Sequence, residues 1–230
     1  MKQRNLLAML ALLALPAVAV AHGVSGKDAG FVEGVEGVAF GPFVYLGAKH
    51  MVTGYDHLLF LAGVIFFLHR LKDVAVYASL FALGHTVTLL SSVLLGWQAD
   101  AFLVDAVIGL SVTWKGLENL GAFQGLRGMP DTRLAVFGFG LVHGLGLATK
   151  LQELSLSPDG LAGNLVAFNL GVELGQLVAL AAMVLLFTAW RRSSRFSATA
   201  RRANWLLVTA GLLLCGYQLS LHFLEGHTPS

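Results

Sequence analysis

Residues 54–68 read Gly-Tyr-Asp-His-Leu-Leu-Phe-Leu-Ala-Gly-Val-Ile-Phe-Phe-Leu, which sets Asp56 and His57 at the head of an unbroken apolar run. A polar group in hydrocarbon that reaches neither water nor a partner costs several kcal/mol, and insertion scales put a mid-helix Asp at about 2.5–3.5 kcal/mol. A titratable pair in such surroundings is retained for a function, and this one points to a metal or proton site. The run itself fixes the setting, because its neighbours along the chain are as apolar as it is.

Hydrophobic residues make up 56% of the 230 positions and charged ones 12%, with a mean hydropathy of +0.73. That composition lacks the polar surface a soluble domain of this size needs, so the chain belongs in a bilayer. A net charge of +2, with basic residues scattered between apolar runs, argues against a nucleic-acid partner. The single cysteine, Cys215, lies in the last apolar run, which excludes an intramolecular disulfide and a thiolate metal cluster. Any metal ligands are His, carboxylate or amide.

Residues 1–21 combine Lys2 and Arg4 with an apolar core and the tripeptide Ala19-Val20-Ala21, the pattern of a cleavable signal peptide. A Gly-rich extracytoplasmic lead-in is expected over 22–40, a transmembrane bundle over 41–224 and a short extracytoplasmic tail over 225–230. Residues 41–53 form an apolar-sided segment, interfacial or re-entrant. Six spans then follow at about 54–69, 74–96, 102–122, 134–151, 161–190 and 203–224. Each is long enough, or nearly so, to cross roughly 30 Å at about 1.5 Å per residue. The first is short and is extended by residues before Gly54.

Lys and Arg set the orientation. Arg70 and Lys72, Arg127 and Arg133, and Arg191, Arg192, Arg195, Arg201 and Arg202 fall in alternate connections and mark the cytoplasmic side. The opposite loops carry Asp100, then Lys150 with Glu153 and Asp159. Both termini are therefore expected outside the cytoplasm. The fold class is all-α, a polytopic transmembrane helical bundle.

The polar residues form a ladder across these spans. His50, Asp56 and His57 lie within eight positions, a partial shell suited to a divalent transition metal rather than to Mg²⁺. His85 sits in the second span, with Thr88 and Ser92 continuing its stripe. His143 sits in the fourth, flanked by glycines. In the fifth span Asn169, Glu173 and Gln176 recur at intervals of four and three, which places them on one helix face. Asp105 near the outer end of the third span reads as either hydrated or functional, and Lys115 and Glu118, one turn apart, read as a neutralising pair. Gly140/Gly144 and Gly171/Gly175 have the spacing that lets helices approach closely, either for packing alone or to bring flanking polar groups together.

The motifs His50-x5-Asp56-His57, Gly84-His85-Thr86-Val87-Thr88, His143-Gly144-Leu145-Gly146 and Phe168-Asn169-Leu170-Gly171-Val172-Glu173-Leu174-Gly175-Gln176 resemble those of the HupE/UreJ family, nearest to its second branch. The resemblance implies a bacterial inner-membrane permease for nickel, with cobalt, copper or zinc also open, linked to hydrogenase or urease maturation proteins. It implies metal contact at His50, Asp56 and His57, and matches His143 to a fourth-helix histidine. In the nickel-transporting branch that motif has a further histidine and an acid where this chain has Phe139 and Gly146.

The leading expectation is a secondary permease rather than an enzyme. A divalent cation would pass from His50, Asp56 and His57 to His85, His143, Asn169, Glu173 and Gln176. One alternative is a zinc-dependent intramembrane hydrolase, with His57, His85 and His143 holding the metal and Asp56 or Glu173 activating water. Others are a metal-delivery accessory protein and a bis-histidine haem site between His85 and His143.

Overall fold

The computed structural model describes residues 27–225 except 127, 129, 130, 155 and 156. The expected signal peptide over 1–21 and nearly all of the tail over 225–230 lie outside the described residues. Eight helices and no strands are found among the described residues. They are α1 (Lys27–Glu33), α2 (Phe40–Thr53), α3 (Tyr55–Ile65), α4 (Leu71–Leu95), α5 (Ala101–Asn119), α6 (Thr132–Gln152), α7 (Leu161–Arg191) and α8 (Phe196–Glu225).

Of these, α4, α6, α7 and α8 are long and apolar enough to cross a membrane. The other two expected spans have a different form. α5 has 19 residues, enough for about 28 Å, but it carries Asp105, Lys115 and Glu118. The first expected span is broken: α3 has only 11 residues, about half a bilayer, and Gly54 separates it from α2. Gly54 adopts an extended conformation (φ −72°, ψ 100°), so the helix ahead ends there and a new one starts at Tyr55.

Three helix pairs make the frame: α2 with α7, α4 with α6, and α5 with α8. Each is built on glycine, because backbones approach closely only where no Cβ intervenes. A Cβ on Gly47 or Gly171 would collide with the backbone of the partner helix at Phe168 and Val44 respectively. Gly84, Gly140 and Gly144 do the same between α4 and α6, and Gly109, Gly116 and Gly211 between α5 and α8. Threonines reinforce the contacts, as where Thr88 Oγ1 donates to Leu141 O at 2.7 Å.

α3 lies inside this frame and touches α2, α4, α5, α7 and α8. Most of its side chains are buried, including Asp56, His57, Phe60, Leu61 and Val64. The outside of the bundle is apolar in turn: Leu177, Val178, Leu185 and Leu213 are each more than 60% exposed, a surface suited to lipid tails.

Part of the expected lead-in is docked. α1 buries Val32, and Asp28 accepts from Lys49 Nζ at 2.6 Å. Asn164 of α7 pins the next stretch by donating to Gly37 O at 2.9 Å and accepting from the Ala39 amide at 2.8 Å. Gly160, at φ +73°, lets α7 start hard against the backbone of Gly37.

Candidate metal centre

The break at Gly54 decides where the first polar group lies. By restarting the helix, it puts Asp56 and His57 in the first turn of α3, at the buried centre of the bundle, each 2% exposed. His50 arrives from the last turn of α2, His85 from the middle of α4 and His143 from the middle of α6. Four helices thus deliver four imidazoles.

His57 is the hub. Its ring centre lies 5.2 Å from His50, 6.0 Å from His85 and 4.9 Å from His143. Two imidazoles on one tetrahedral ion have ring centres about 5 Å apart, given metal–nitrogen bonds of about 2.0 Å. The spacings to His50 and His143 match that figure, and the spacing to His85 is about 1 Å longer. The rings meet edge to face, at 67–78°. Among the described residues no three His, Cys, Asp or Glu side chains are posed as a finished metal shell.

Hydrogen bonds set the orientation of two of these rings. Asp56 Oδ1 faces His57 Nδ1 at 2.7 Å and accepts from the His57 amide at 2.7 Å. With a carboxylate as partner, Nδ1 carries the proton and Nε2 keeps the lone pair, the arrangement common in metal-binding histidines. His143 Nδ1 donates to Phe139 O at 2.7 Å, which again directs the lone pair to Nε2. His85 is 1% exposed, and among the described residues neither of its ring nitrogens has a hydrogen-bond partner. Burying an imidazole without a partner costs about 1–3 kcal/mol. Asp56 therefore stands first as the group that orients His57.

A narrow gap of about 10 Å³ is lined by His50, Asp56, His57, His143, Asp105 and Lys150, among others. It is at the lower limit for one water-sized particle.

Asn169, Glu173 and Gln176 are not brought into this cluster. Gln176 Nε2 donates to Ala78 O at 3.0 Å and Asn169 Oδ1 accepts from Thr86 at 3.0 Å, so both tie α7 to α4. Glu173 is exposed on the outside of α7 and accepts from Asn169 Nδ2 at 3.3 Å. At about 100° per residue it stands roughly 40° from Asn169 and 60° from Gln176, enough to carry it past the rim of the contact. The expected polar face exists, but it is an interhelical seam with its carboxylate at the outer edge.

A family model described as HupE / UreJ protein matches residues 26–226. The chain belongs to the HupE / UreJ family. No curated protein and no solved structure matches it. With four helices among the described residues long and apolar enough to cross a membrane and this membership, it is a multi-pass membrane protein.

The departures from the nickel-transporting branch have a structural counterpart in this HupE / UreJ chain. Phe139 packs its ring on Phe60 and Trp114, which makes that side of the site apolar. A Cβ on Gly146 would lie 3.1 Å from Val104 and 3.7 Å from Asp105 Oδ1. Asp105 is the residue the sequence left ambiguous, and it is buried at the gap. Lys150, read only as a loop charge, is its partner at 2.6 Å. Opposite charges at matching depth on successive antiparallel spans were the signal that paired them. Lys115 donates to Glu118 as expected, and Glu118 also accepts from Thr132.

Proposed function

We propose that this chain is a bacterial inner-membrane permease for a divalent transition-metal cation, nickel or cobalt first and copper or zinc next. The observation that carries the reading is the convergence of His50, His57, His85 and His143 from four helices around the Asp56–His57 pair. His57 stands at a spacing from His50 and from His143 that suits two imidazoles on one ion, and the reading requires side-chain rotation to bring a third ligand in. Membership of a family known in nickel and cobalt uptake supports the same reading.

In this reading the broken α2–α3 unit serves as one span and α5 as another, giving six. The ion pair of Lys115 with Glu118 reduces the cost of placing charge in α5. Both termini face outward by the distribution of Lys and Arg, which puts the gap beside Asp105 and Lys150 on the extracytoplasmic side. Delivery to hydrogenase or urease maturation proteins would follow on the inner face. The hydrolase alternative draws on the same imidazoles and on Asp56.

The test is uptake of radiolabelled nickel and cobalt into proteoliposomes holding the wild type, His57→Ala or His143→Ala. Uptake that falls at least tenfold in both variants, with the fold intact, supports the proposal. Equal uptake in all three would end it.

A further inference from the structure

Asp105 has a feature that its structural environment leaves open. Lys150 Nζ donates to its Oδ2 at 2.6 Å and Gln218 Nε2 donates to the same oxygen at 3.2 Å. Both bonds fall on Oδ2, and among the described residues no donor reaches Oδ1. The carboxylate lines the same gap as His50, Asp56, His57 and His143. Charge decides what such a gap accepts. With neutral imidazoles, Asp56 and Asp105 contribute two negative charges and Lys150 one positive, leaving a deficit of one. A divalent cation entering beside Lys150 overshoots by one, whereas a divalent cation that replaces the ammonium leaves the site neutral. In a low-dielectric interior the neutral state is strongly preferred.

Lys150 is placed to make that exchange. It lies in the last turn of α6, its side chain is 12% exposed, and a lysine near a helix end can carry its ammonium out to the interface on its flexible stem. We propose that Asp105 is a further ligand for the transported cation, and that Lys150 is a tethered substitute cation which the incoming metal displaces. The proposal rests on the metal reading above and adds to it a built-in barrier against sites left empty or filled by monovalent ions.

The test uses the full chain in lipid nanodiscs, with Co²⁺ as the probe. Binding is followed by visible absorption, and Lys150 release by mass spectrometry after a brief pulse of an amine-reactive reagent. Saturating Co²⁺ is expected to raise labelling of Lys150 severalfold in the wild type and not in His57→Ala; labelling that stays level or falls on metal addition overturns the exchange. Removing a neighbouring opposite charge shifts an ionic equilibrium by about one to three powers of ten. Lys150→Met should therefore bind Co²⁺ about tenfold more tightly, and the gain should vanish in the Asp105→Asn background. A gain that persists without Asp105, or no gain in a folded Lys150→Met protein, also overturns it. If the wild type binds no Co²⁺ and His57→Ala changes nothing, the metal reading itself fails. If His57-dependent binding persists with Lys150 inert, only the exchange fails.

Discussion

Asp56→Asn isolates what the carboxylate does for the metal centre, because asparagine preserves shape and removes charge. Asp56 Oδ1 serves both the His57 amide and His57 Nδ1, each at 2.7 Å, and an asparagine oxygen can accept both bonds. The negative charge that holds the proton on Nδ1, and so leaves Nε2 as the ligand atom, is lost. Loss of such an orienting partner weakens metal binding by about 10–100-fold, or about 1.4–2.7 kcal/mol. The measurement is a Co²⁺ titration of purified protein by visible absorption, with thermal unfolding as the control for fold. Binding within twofold of wild type, in a folded Asp56→Asn protein where His57→Ala abolishes binding, would refute the argument that the pair tunes a metal ligand.

Three further outcomes follow from the same geometry. Glu173→Gln should leave Co²⁺ affinity within twofold, since Glu173 is exposed and outside the imidazole cluster; a tenfold loss would place α7 in the ion's path. Gly171→Ala should lower the unfolding temperature, because its Cβ meets the Val44 carbonyl of α2 and overpacking costs about 1–3 kcal/mol. Equal melting of this variant and wild type would contradict the close crossing. Lys115→Met should destabilise by about 1–3 kcal/mol, by leaving Glu118 with Thr132 as its remaining partner. Thermal unfolding measures this, and restoration by the double change Lys115→Met with Glu118→Gln would tie the loss to the ion pair.

Helical class, membrane setting and the identity of the imidazoles were legible in residues 50–143 because each depends on local facts. Apolar runs of bilayer length specify helices in lipid, and a histidine within one stands out wherever its neighbours lie. The glycine spacings were equally readable, and Gly140 and Gly144 do bring α6 against α4 beside His85. Glu173 shows the limit of such reading. A periodicity of four and three fixes a shared face, but not which edge of that face meets the neighbouring helix.

By itself, then, the sequence determined that this chain folds as membrane helices, with His85 and His143 within spans and His50 and His57 at or before the head of the first. Only the tertiary structure decided that His57 is the hub, that Asp56 orients it, and that Asp105 with Lys150 closes one side of the gap. The reason is physical. Helix formation is settled within a few residues by apolar content and backbone hydrogen bonding, whereas the meeting of side chains 45 positions apart, as for Asp105 and Lys150, depends on each helix's rotation and depth, which glycine contacts between distant segments set.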